Sequence, residues 1–224
     1  MLYALHEATY YAASPMRAAA RVTRDWWSSP LNPARNSHLG RRLSAGADLY
    51  ANVTRRYGKP DWMIDEITVN DHKVRVRPTV VWESPWCRLI QFDRDMADMR
   101  RAGKLQLDPA VLIVAPMSGH YATLLRGTVE AFLPNFDVYI TDWTDARNVS
   151  AYHGAFHLED YIDYVIEFTR HVGDNTHLLA VCQPAVPLIA AVALMEADRD
   201  PKVPATMTLM GGPIDTRRSP TAVN

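Results

Sequence analysis

From residue 111 onward the chain alternates between short aliphatic runs and longer stretches of helical periodicity, and this alternation restricts its fold more than any other feature. The runs at 111–115, 136–142, 177–182 and 205–210 have the length and composition of strands. The stretches 121–132, 158–172 and 185–197 between them have the length of helices. A helix between two strands carries the chain back to the end of the sheet from which it started. The order therefore predicts an α/β fold, with a mostly parallel sheet, right-handed crossovers and flanking helices. In open sheets of this kind chemistry collects at the carboxyl ends of the strands. Met117-Ser118-Gly119-His120, Trp143-Thr144-Asp145, Cys182-Gln183 and Gly211-Gly212-Pro213 all fall at such ends.

Upstream the texture differs. Residues 64–69, 73–82 and 88–92 are short β-type runs separated by Asn70-Asp71 and Ser84-Pro85, as successive strands of an antiparallel edge would be. Between Leu2 and Trp26, the residues Leu2, Leu5, Thr9, Ala12, Met16, Ala19, Thr23 and Trp26 recur at steps of three and four and share one helical face, with Pro15 placed to kink or divide the helix. A second helix is marked by Leu39, Leu43, Ala47, Tyr50 and Tyr57 and is expected to end at Gly58-Lys59-Pro60. The expected organisation is a helical segment over 1–60 followed by an α/β domain over 61–224.

One turn carries specific chemistry. Val181-Cys182-Gln183-Pro184 follows the apolar run Leu178-Leu179-Ala180 and opens another apolar stretch, so a cysteine stands where a strand turns sharply into a helix. In a nucleophile elbow of the α/β-hydrolase fold, G-x-S-x-G, the attacking atom projects above the sheet there and the next backbone N–H helps form an oxyanion hole. Here Ala180 and Pro184 replace the glycines and Cys182 replaces the serine. Ala180 is small enough for close packing, and Pro184 suits a first helical turn, whose N–H would lack an intrahelical partner. A thiolate beside a helix N-terminus is favoured by the partial positive charge there; it would attack an ester carbonyl, and water would release the acid from the thioester. The Gln183 N–H is one oxyanion donor, and Met117 or Ser118, in the loop after the 111–115 strand, supplies the second. Ser118 precedes a helix and reads as a cap or loop residue in preference to a rival nucleophile.

Composition narrows the setting. Two cysteines, Cys87 and Cys182, in 224 residues make neither a disulfide framework nor a metal cluster, which fits a reducing compartment. His153 and His157 are four apart, but Gly154 lies between them and no third ligand is evident, so no metal is expected. The start lacks the basic and then apolar pattern of a secretory signal, and no apolar run reaches the ~20 residues that span a bilayer. A soluble cytoplasmic protein is the expectation. Residues 1–60 hold nine Lys/Arg against three Asp/Glu, and the remainder fifteen against twenty-two, so +6 is followed by −7. Such a basic segment suits either a solvated helix face or an anionic surface.

The eight histidines, His6, His38, His72, His120, His153, His157, His171 and His177, all precede Cys182, whereas the α/β-hydrolase order is nucleophile, acid, histidine. Asp215 follows the last strand at one place where the acid sits, while Asp198 and Asp200 read as a solvated helix end. With the triad histidine, the final strands and a lid missing, residues 1–224 are expected to be the front part of a longer enzyme, or a shortened relative.

Taken together, Ala180-Val181-Cys182-Gln183-Pro184, the block Ala115-Pro116-Met117-Ser118-Gly119-His120-Tyr121-Ala122-Thr123-Leu124-Leu125-Arg126, and the block Val138-Tyr139-Ile140-Thr141-Asp142-Trp143-Thr144-Asp145-Ala146-Arg147 resemble the intracellular poly(3-hydroxybutyrate) depolymerases, and the likeness extends to the N-terminal start. The resemblance implies an α/β-hydrolase fold, no cofactor, and hydrolysis of the amorphous polyester of cytoplasmic storage granules to 3-hydroxybutyrate oligomers or monomer. By position Cys182 matches that family's nucleophile, and the family's aspartate and histidine come after this chain stops, so Asp215 is not assigned that role. Trp143 and His120, at strand ends, are candidate substrate contacts. The polymer surface, and granule-coat proteins with it, are the expected partners, with no nucleic acid. Trp26, Trp27, Trp62, Trp82, Trp86 and Trp143 could form an apolar face for the polyester or pack in the core. Two alternatives stay open: a polyhydroxyalkanoate synthase-like acyltransferase using coenzyme A thioesters, and a non-catalytic granule-surface interaction protein.

Overall fold

The computed structural model describes residues 2–117, 121–215 and 217–218, and its contacts divide the chain into two units, 1–58 and 59–224. In the first unit, α1 (Leu2–Ala12) and α2 (Ser14–Ser28) are separate helices. Pro15 lies in the first turn of α2, where its missing N–H costs no helical hydrogen bond, so it divides the helix and starts the second piece. Helix α3 (His38–Val53) is capped by Ser37, whose side chain accepts the Gly40 N–H at 3.0 Å. It stops at Val53, short of the expected end at Gly58, and Thr54 turns its hydroxyl back onto the Tyr50 carbonyl. Helices α2 and α3 pack closely where Gly40 lets Trp27 and the Ala34 carbonyl approach; a Cβ at position 40 would lie 2.5 Å from that oxygen.

The second unit contains β1 (Glu66–Val69), β2 (His72–Glu83), β3 (Cys87–Arg94), α4 (Met96–Arg101), β4 (Ala110–Val114), α5 (Arg126–Phe132), β5 (Asp137–Trp143), α6 (Leu158–Val172), β6 (His177–Val181), α7 (Ala185–Ala197) and β7 (Thr206–Met210). Among the described residues seven strands form one sheet in the order β1-β2-β3-β5-β4-β6-β7. Strands β1, β2 and β3 pair antiparallel, as does β3 with β5, and β5, β4, β6 and β7 run parallel. Asn70 and Asp71, both with positive φ, make the tight β1–β2 turn that suits strand twist. The expected helix over 121–132 is divided into a 3-10 turn at Ala122–Leu125 and α5. The short α4, capped by Asp95, has no counterpart in the sequence reading.

Strand β4 lies inside the sheet between β5 and β6 and is buried on both faces. Val111 and Ile113 join the cluster with Val129, Leu133 and Phe92, while Leu112 and Val114 join that with Phe168, Val165 and Leu188 on the other side. Each such side chain contributes about 1.5–3 kcal/mol on removal from water, which is why this strand anchors the loop that follows it. Helix α6 begins with a capping box between His157 and Asp160 and closes on Gly173 at φ +106. His157 is thus occupied as a cap, and Gly154 at φ +78 separates it from His153 in the preceding 3-10 turn. The two histidines share no helical face. No helix is long and apolar enough to cross a membrane among the described residues.

Candidate active site

Strand β6 ends at Val181, and the next ladder bond is made by Cys182 itself, whose N–H donates to the Met210 carbonyl of β7 at 2.8 Å. The backbone then reverses at Cys182, with φ +69. A side chain in this left-handed region costs about 1–2 kcal/mol relative to the right-handed one, so neighbouring contacts must hold it there. The Cys182 carbonyl accepts the Ala185 N–H at 3.1 Å, and the Pro184 carbonyl accepts the Leu188 N–H at 3.0 Å, so α7 begins without a connecting loop. Pro184 and Pro187 occupy the first turn of α7, where their lack of an N–H is harmless. The Cys182 side chain is exposed on this bend, and the Ala180 beneath it is fully buried.

Sequence reading missed the residue that lets the bend close. A Cβ on Gly212, after β7, would lie 2.2 Å from the Ala185 Cβ and 2.6 Å from the Cys182 carbonyl oxygen. The close approach that the G-x-S-x-G pattern builds into the elbow is here supplied from the neighbouring strand end. The signal present in the sequence was the pair Gly211-Gly212 directly behind a strand.

The loop after β4 is held by three side chains. Ala115, fully buried, donates its N–H to Thr141 Oγ1 at 2.9 Å, and its carbonyl accepts the Trp143 indole N–H at 2.9 Å and the Tyr161 hydroxyl at 3.3 Å. Both lone pairs of that carbonyl are used. Burial pushes the Tyr161 phenol well above its ordinary range, so it remains a proton donor. Trp143 is buried and stacks edge-on against Tyr161 with ring centroids 4.4 Å apart; its polar atom orients the loop.

This clamp brings Met117 to the elbow, where its N–H donates to the Gln183 side-chain oxygen at 3.0 Å. The Gln183 backbone N–H meets no acceptor among the described residues. Met117 and Gln183, the expected oxyanion donors, are therefore neighbours, with an amide oxygen of the protein seated on one of them. Ser118 and His120 lie outside the described residues. Asp215 is half-buried and held by Arg217, whose hydrogen bonds lower the carboxyl below its ordinary range.

The second cysteine differs in every respect. Cys87 is fully buried in β3 opposite Trp143, and burial, reinforced by Asp142, pushes its thiol well above the usual range. No group of three or more metal-ligating side chains occurs among the described residues. Comparison with known proteins finds no matching family model and no matching curated protein.

Proposed function

We propose that this protein is an α/β-hydrolase that cleaves intracellular amorphous poly(3-hydroxybutyrate) through Cys182, releasing 3-hydroxybutyrate oligomers or monomer. The observation that carries the chemistry is the exposed Cys182 at φ +69 on a strand-to-helix bend, followed by a Gln183 N–H with no acceptor among the described residues. In this reading the Cys182 thiol releases its proton to solvent and the thiolate attacks the ester carbonyl; the oxygen that becomes negative is met by the Gln183 and Met117 amides. The alkoxide leaves with a proton, and water cleaves the thioester. The Gln183 side-chain oxygen on Met117 must swing away for the second donor to act. The substrate class rests on the resemblance of the 115–126, 138–147 and 180–184 blocks to the intracellular depolymerases.

The test is release of 3-hydroxybutyrate from amorphous granules in the absence of coenzyme A, together with mass spectrometry of Cys182 after brief exposure to the polymer. Acylation of Cys182 and a loss of release of about 10³-fold or more in Cys182→Ala support the reading. Unmodified Cys182 with no release, or polymer synthesis from 3-hydroxybutyryl-CoA, overturns it.

Association with the granule, in the cytoplasm, belongs to the same proposal and is supported by the first unit. Met16, Val22 and Trp26 are exposed on α2, Trp26 by 62 %, within a segment of charge +6. Trp27 is half-buried against Gly40, so Trp26 is the better probe of the two. Trp26→Ala combined with Val22→Ser is expected to lower the fraction sedimenting with granules while hydrolysis of a soluble ester is unchanged. Unaltered sedimentation removes the docking role.

A further inference from the structure

A cavity of about 410 Å³ opens on the face of the sheet opposite to Trp143, walled by Lys59, Trp62, Val80, Arg88, Ile90 and Asp142. Alternation along β5 separates the two faces: Trp143 opposes Cys87 in one core cluster, and Asp142 opposes Arg88 on the other side, next to Ile90. Asp142 is 1 % exposed. Both cations address the same carboxylate oxygen: Lys59 donates to Oδ2, and an Arg88 nitrogen lies 3.6 Å from Oδ2. The other oxygen, Oδ1, is buried without a partner. So is the indole N–H of Trp62, a residue 8 % exposed.

Buried polar atoms are almost always hydrogen-bonded, and an exception calls for an explanation. Here one unmatched acceptor and one unmatched donor belong to walls of one cavity, far larger than the ~30 Å³ a water occupies. The ligand that completes this set carries a hydroxyl to donate to Asp142 and a carboxylate to accept from the Trp62 N–H and the cations. Its short apolar chain would lie on Val80 and Ile90. Lys59 and Arg88 against Asp142 leave one positive charge; Asp61 also lines the cavity, but it is exposed and its charge is screened by water. The geometry points to a binding site for a small hydroxycarboxylate of single negative charge, separate from the Cys182 elbow. Entry requires displacement of the Lys59 head from Asp142 and a shift of the Trp62 ring, because Oδ1 and the indole nitrogen are both sealed from the cavity as it stands.

Calorimetric titration with 3-hydroxybutyrate and, separately, with butyrate tests this. The hydroxy acid is expected to bind with Kd of about 1 mM, the order available to so few atoms. Butyrate, leaving Oδ1 unmatched, binds about tenfold more weakly. Arg88 is 42 % exposed at its side chain, so Arg88→Gln keeps the fold and weakens binding about tenfold. Trp62→Phe keeps the ring contact with Phe92, weakens binding similarly and abolishes the ligand-induced change in tryptophan emission. Cys182→Ala binds as the native protein does. Equal affinity for the two acids, absence of binding, or binding lost in Cys182→Ala but kept in Arg88→Gln would overturn the site. None of these results bears on granule hydrolysis.

Discussion

At the scale of single residues, the two cysteines show how position decides chemistry. Cys182 sits where a glycine would be relaxed. Cys182→Gly relieves the left-handed strain but adds freedom to the unfolded chain, a net gain of about 0.5–1 kcal/mol and a Tm rise of ~2 °C, with acylation abolished. Cys182→Ala keeps the strain and has no such gain, so equal melting of the two variants would show an unstrained bend. Cys87 predicts a pH dependence. Its folded-state thiol lies above the ~8.5 of an unfolded one. The fold therefore holds the proton more tightly, and the stabilisation, complete below about pH 8.5, is lost as pH rises past it. Urea unfolding between about pH 8 and pH 10 should show falling stability in the native protein and a flatter profile in Cys87→Ala. Above pH 10 the raised phenols of Tyr139 and Tyr161 act in the same direction, which sets the upper limit of the window.

Among elements, what fixes the elbow is the meeting of β6, β7 and α7. Gly212→Ala drives a methyl into Ala185 and the Cys182 carbonyl, at a cost of about 1–3 kcal/mol, a fall of several degrees in Tm measured by circular dichroism. The clamp on Ala115 makes a kinetic prediction: Tyr161→Phe removes a buried hydrogen bond worth about 1 kcal/mol, and turnover falls severalfold with KM nearly unchanged, because the loop and not the substrate is what Tyr161 holds. An effect confined to KM would place Tyr161 at the substrate. These contacts also mark where sequence reading stopped. Helix α6 and the strands were legible because their periods and caps are local: Asp160 lies three residues from His157, and Gly173 follows Val172 directly. Strand directions followed from the intervening helices. Gly212 on Ala185, Thr141 on Ala115 and Gln183 on Met117 join residues 26 to 66 positions apart, and no local pattern encodes them. Of the residues expected to share one helical face over 2–26, Leu5, Met16 and Trp26 are exposed, while Arg17 is buried and stacks on Tyr10.

Across the whole molecule, charge and apolar burial are unevenly shared: the basic helical unit displays Val22, Trp26, Leu49 and Val53, while the larger unit builds two buried clusters on either side of β4 and still exposes Leu105, Leu107 and Ile214. The elbow belongs to the second unit yet is hung from its least protected strand. Four of the five residues of β7 are exposed, and its outer border has no partner strand among the described residues. Since the amide of Cys182 is tied to Met210, loosening of that margin releases the reactive bend while the centre of the sheet is still intact. Heat should therefore silence the proposed activity before it melts the protein: thiol acylation fades several degrees below the loss of ellipticity, and coincident transitions would show that margin and centre yield as one.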